Sequence, residues 1–120
     1  MAMVSTFNYK ILVAEEFCVI NFEIKFLLRK QGFNVIETSG RNDFVETIKN
    51  QSPDFIITCQ ANLKKIADEL SNLKTLFVPT EFNSTDTVIL DNRMNPLMRY
   101  HKPYNASDMI TYIIERLQIN

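Results

Sequence analysis

Glycine is scarce in this 120-residue chain, which has only Gly32 and Gly40. A glycine-rich loop that lets backbone amides close around phosphate needs more, and no such motif occurs, so nucleotide binding of that type is not expected. Tryptophan is absent, His101 is the single histidine, and Cys18 and Cys59 are the two cysteines. That inventory holds no zinc-ligand cluster and no disulfide framework. No apolar run approaches the roughly 18 residues of a membrane span. The opening "MAMVSTFNYK" lacks a charged start followed by an apolar stretch. No secretory leader is therefore expected, which implies a reducing cytoplasm and free thiols. Basic blocks are missing too, and the net charge is -1. Neither nucleic acid nor an anionic membrane is an expected partner.

What the chain does have is apolar content. Hydrophobic residues make up 46% and charged residues 22%, enough for one packed domain with its core over about residues 10–117. Strand-like and helix-like segments alternate. "KILVA" (Lys10–Ala14), "FNVIE" (33–37), the stretch within "SPDFIITCQ" (52–60), "TLFVPT" (75–80) and "LMRYHK" (97–102) read as strands. Ile20, Ile24, Leu27, Leu28 and Gln31 trace a helical stripe that Gly32 stops, and Phe44, Val45 and Ile48 share a second helical face ended by Ser52-Pro53. Ser39 is a plausible cap for that second helix. Leu63, Ile66, Ala67, Leu70 and Leu73 mark a third helix. Ser84 could cap a weaker fourth helix through Val88, Ile89 and Leu90, and Ser107 a last one with Ile110, Ile113, Ile114 and Leu117 inside. Five strand–helix pairs in strict alternation predict an α/β fold, a doubly wound five-stranded parallel sheet with helices on both faces.

Function in such sheets lies at the carboxyl ends of the strands. Those ends carry Glu15 and Glu16, Cys59, Thr80 and Lys102. Paired carboxylates, a hydroxyl and a lysine in one crevice suit a divalent cation and a phosphoryl group. With "ILVAEEF", "FLLRKQGFNVIE", "PDFIITC" and "HKPY" in order, the chain resembles the receiver domain of two-component response regulators, a flavodoxin-like, CheY-like fold. The resemblance implies that Glu15 and Glu16 stand at the acidic pair and that Thr80 and Lys102 contact phosphate. Glu16 replaces the usual aspartate, and Cys59 falls where the family carries its phosphorylated aspartate. A thiol cannot form an acyl phosphate, and it removes a carboxylate from the metal site. The chain therefore resembles a degenerate receiver, or pseudo-receiver. No enzyme activity and no cofactor are expected, and the altered acidic set argues against magnesium.

The resemblance also implies a protein partner, or a homodimer, through the fourth helix, fifth strand and fifth helix, with Arg99, Tyr100 and Asp108 as candidate contacts. The expected function is protein–protein interaction in two-component-type signalling, independent of phosphorylation. The alternatives are a thiol-based redox sensor or a small-ligand-binding domain on the same fold. Cys59 reads most plainly as a small buried residue; a redox role needs exposure and a positive neighbour such as Lys102. A Cys18–Cys59 disulfide is conceivable on the shared sheet edge. A Cys59–His101 pair is not expected, because alternation on the last strand sends His101 and Lys102 to opposite faces.

Overall fold

The computed structural model describes residues 8–14, 18–38, 44–59, 86–101 and 103–119. Strand β1 (Lys10–Ala14) buries Ile11, Leu12 and Val13 on both faces, as its unbroken apolar run requires. Helix α1 (Cys18–Lys30) follows, with Arg29 and Lys30 in its last turn, where cations complement the helix dipole. Gly32 adopts φ 90° and closes the helix: Phe33 N donates to Leu28 O and Gly32 N to Arg29 O. This paired ending needs a left-handed residue, and only glycine takes that conformation without a Cβ clash. It also brings Phe33 over Leu28 in one core cluster.

Strand β2 (Asn34–Glu37), helix α2 (Phe44–Gln51) and strand β3 (Phe55–Cys59) come next. Every residue of β3 is buried. Asp54 anchors its start, accepting the Lys10 amide at 2.8 Å while its own amide donates to Lys10 O. The sheet ends with β4 (Thr87–Asp91) and β5 (Pro96–Tyr100), and helix α3 (Ala106–Ile119) closes the chain.

The expected doubly wound parallel sheet is not what forms. The five strands lie in the order β2-β1-β3-β4-β5, the lateral order of flavodoxin-like sheets. However, β4 runs antiparallel to both β3 and β5, so the sheet is mixed. The physical reason lies in residues 87–100. Val88, Ile89 and Leu90, read as helix from sequence, form a strand instead. A tight hairpin then reverses the chain within Asn92, Arg93 and Met94. Asp91 Oδ1 accepts the amides of Arg93 and Asn95 at 2.9 Å each, and Asp91 N donates to Asn95 O. Met94 sits at φ 67°, the left-handed position of a three-residue hairpin loop, with its side chain buried. A hairpin joins neighbouring strands only antiparallel, so β4 cannot be part of a parallel set.

Three helices cover the sheet among the described residues. Helices α1 and α3 pack one face through Ile24, Leu28, Met109, Ile110, Ile113 and Leu117 against Ile11, Val13, Ile57 and Ile89. Helix α2 covers the other face through Val45 and Ile48, against Leu12, Ile56, Val88 and Leu90. The cap of α3 is Asn105 and not Ser107: its Oδ1 accepts the Ser107 amide at 2.9 Å. The expected strand at 75–80, the helix over 63–73 and the Ser39 cap lie outside the described residues.

Candidate functional site

Reversing β4 changes what meets at the carboxyl edge of the sheet. β1, β3 and β5 end there, while β4 begins there. Ala14 pairs with Thr58, Cys59 with Thr87, and Thr87 with Tyr100. Alternation divides these residues between the two faces.

Cys59, Thr87 and Tyr100 share the face covered by α1 and α3. Cys59 is 1% exposed. The Thr87 hydroxyl lies 2.8 Å from the Tyr104 hydroxyl, and the Tyr100 and Tyr104 rings sit 5.5 Å apart at 36°. Burial, then the nearby Tyr112 and Asp108, push the Tyr100 hydroxyl above its usual pKa, because each disfavours the phenolate.

The opposite face carries a polar group that sequence reasoning missed. Asp86, just before β4, is 1% exposed, and its Oδ1 lies 3.0 Å from His101 Nδ1. Its Oδ2 has no hydrogen-bond partner among the described residues and faces Arg99 Nε at 3.8 Å. A buried carboxylate that orients an imidazole is two-thirds of a nucleophile–base–orienter chain. The third member is missing among the described residues of this face. Thr58 is buried and its hydroxyl donates to Ala14 O, while Cys59 points to the other side. Cys59 therefore lies away from His101, and Asp86, His101 and Arg99 form a polar cluster.

Of the sequence-predicted residues, Glu15, Glu16, Thr80 and Lys102 lie outside the described residues, and the structure places nothing of the Cys18 side chain. Tyr100 and the exposed Asp108 come near one another. Arg99 turns to the opposite face, toward Asp86. The fourth helix drawn through Val88–Leu90 is strand β4, which removes it from the expected interaction face. Among the described residues no group of three or more histidine, cysteine, aspartate or glutamate side chains could hold a metal ion, and no helix is long and apolar enough to cross a membrane.

A second feature lies on the outer side of α1. Phe22 is 74% and Phe26 56% exposed. With Asn21, Lys25, Arg29, Lys30 and Glu37 they line an open groove of about 690 Å³. Lys25 bonds Glu37 Oε1, and Arg29 reaches Oε2 at 3.3 Å. The Lys25 ammonium, by hydrogen bond and charge, and then Arg29 hold the Glu37 carboxyl below its usual range.

The molecule is thus a small α/β domain with a mixed five-stranded sheet. Comparison with protein-family models, curated proteins and solved structures gives no match.

Proposed function

We propose that this domain acts by binding another protein, in regulation of the two-component type, without phosphoryl transfer as its input. The observation that carries the reading is the end of β3. In the residues that resemble a receiver, that strand should present an acceptor carboxylate. Here it ends in Cys59, a buried thiol only 1% exposed. Phosphoryl transfer to carbon-bound oxygen has no acceptor at that position. The same burial speaks for a thiol that fills space, since a reactive one needs solvent access.

The test is incubation of the domain with acetyl phosphate, or with beryllofluoride, and magnesium, read by intact mass and by amide NMR. No adduct and no spectral change are expected, and a stoichiometric phosphoryl adduct would overturn the proposal. A thiol reagent added in parallel should label Cys59 only after denaturation. Fast labelling of the native domain would favour the redox reading instead.

A further inference from the structure

We infer that the groove along α1 is a docking site for an acidic amphipathic helix of a partner protein. The inference rests on reading the domain as a binding module. It goes further by naming the surface and the chemistry of what sits there. Phe22 and Phe26 stand one helical turn apart on the side of α1 that faces away from the sheet, whereas Ile24 and Leu28 fill the core side. Two adjacent aromatic rings left in water on one ridge are unusual for a surface with no partner, because their burial is among the larger gains a contact can make.

Charge then selects the partner. Lys25, Arg29 and Lys30 line the groove with the two rings, and among the described residues Glu37 is the one carboxylate lining it. Glu37 engages Lys25 and Arg29, while Lys30 has no ion pair among the described residues. The described lining is therefore net positive on a chain whose overall charge is -1. Glu37 also shows that a carboxylate is accepted at this cluster. A basic rim around an apolar centre complements a ligand with aliphatic side chains flanked by aspartate or glutamate.

The shape favours a helix over an added strand. Six of the seven described lining residues come from α1, so the wall they form is one helical ridge against which the i, i+4 ridge of a second helix packs. A peptide that extended the sheet at β2 would run along Asn34, Val35 and Ile36, none of which lines the groove.

The experiment uses the full chain and a synthetic peptide helix with leucines at i, i+4 and i+7 and glutamates on both flanks. Binding is followed by fluorescence anisotropy and amide NMR. The expected result is saturable binding with shifts centred on residues 21–30 and 37. Phe22→Ser with Phe26→Ser should weaken it at least tenfold. Arg29→Glu with Lys30→Glu should weaken it at least tenfold at low salt and less at high salt, and Arg93→Glu in the hairpin should leave it unchanged. If the aromatic double variant fails to fold, the charge reversal alone decides. The inference is overturned if the peptide does not bind, or if a lysine analogue binds equally. It is also overturned if shifts centre on residues 34–36, if phosphatidylserine vesicles bind in place of the peptide, or if the aromatic patch serves only self-association in sedimentation. A domain that ignores the peptide yet takes no phosphoryl group sinks this inference and leaves the proposed function standing; a phosphoryl adduct does the reverse.

Discussion

Alanine substitution at Val88, Ile89 and Leu90, one at a time, tests the reversed strand that defines this sheet. All three are buried, to 0%, 0% and 1% exposure. Ile89 lies between Ile57 and Met98 on the α1/α3 face, while Val88 and Leu90 pack against Ile56, Leu12 and Val45 on the α2 face. At about 0.8 kcal/mol per buried methylene, Val→Ala forfeits about 1.6 kcal/mol of transfer energy and Ile→Ala or Leu→Ala about 2.4 kcal/mol. The cavity left in a sheet clamped on both faces adds to this, so Ile89→Ala and Leu90→Ala should cost about 2–5 kcal/mol. Val88→Ala should cost somewhat less. A helix over the same residues makes a different prediction. Three consecutive helical positions span about 200°, wider than the roughly 100° apolar stripe of a surface helix, so at least one would face water. That one would change stability by no more than about 0.5 kcal/mol. Urea unfolding separates the cases, with the free energy taken from the midpoint shift at constant slope. If any of the three variants unfolds within about 0.5 kcal/mol of the parent, the two-sided burial of β4 is wrong.

Two further outcomes follow from the titrating groups. Glu37 has a folded-state pKa below its ordinary value, so its pairing with Lys25 and Arg29 stabilises the fold above that ordinary value, near 4.5, and is lost as pH falls through the folded value. Its side chain is half exposed, so Glu37→Gln should remove at most about 0.5 kcal/mol at neutral pH and less in high salt; urea midpoints at pH 7 and at acid pH, in low and high salt, measure this. Tyr100 has a raised folded-state pKa, so its contribution is present below the ordinary phenol value of about 10 and lost as pH rises through the folded value. Ultraviolet titration of the native domain should show a late-ionising phenol that Tyr100→Phe deletes, and an unchanged curve in that variant refutes the assignment.

Much of the fold can be read from residues because the signals there are local. The apolar runs of β1 and β3 admit only a strand at their length, and the Ile24–Leu28 spacing followed by Gly32 fixes the end of α1. β4 is different. Three apolar residues in a row fit a buried strand or one side of a helix, and the alternation of the rest of the chain pulls the reading toward helix. The better signals are Thr85, Thr87, Val88 and Ile89, which are β-branched, and the cluster Asp91, Asn92, Asn95 and Pro96, which marks a hairpin. Strand direction then follows from the hairpin.

The site divides the same way. Cys59 at the end of β3 is visible in sequence, but Asp86 is not. A lone carboxylate before an apolar run looks like solvated loop, and only the fold shows it buried, with His101 against it. Phe22 and Phe26 fall off the Ile20, Ile24, Leu27, Leu28 stripe. That departure is itself a signal, because an apolar residue on the outer side of a helix needs a reason.

Because β4 is antiparallel to β3, Cys59 and Thr87 are register partners. The last residue of β3 and the first of β4 therefore adjoin. In a parallel arrangement the intervening segment would have to span the full height of the sheet, and its length would be constrained. Here the two strand ends are neighbours across the ladder, so a connection between them has only a short distance to close. Each doubling of such a segment costs about 0.6 kcal/mol in closure entropy. In closure entropy alone, a longer connection between Cys59 and Thr87 would thus cost the fold little.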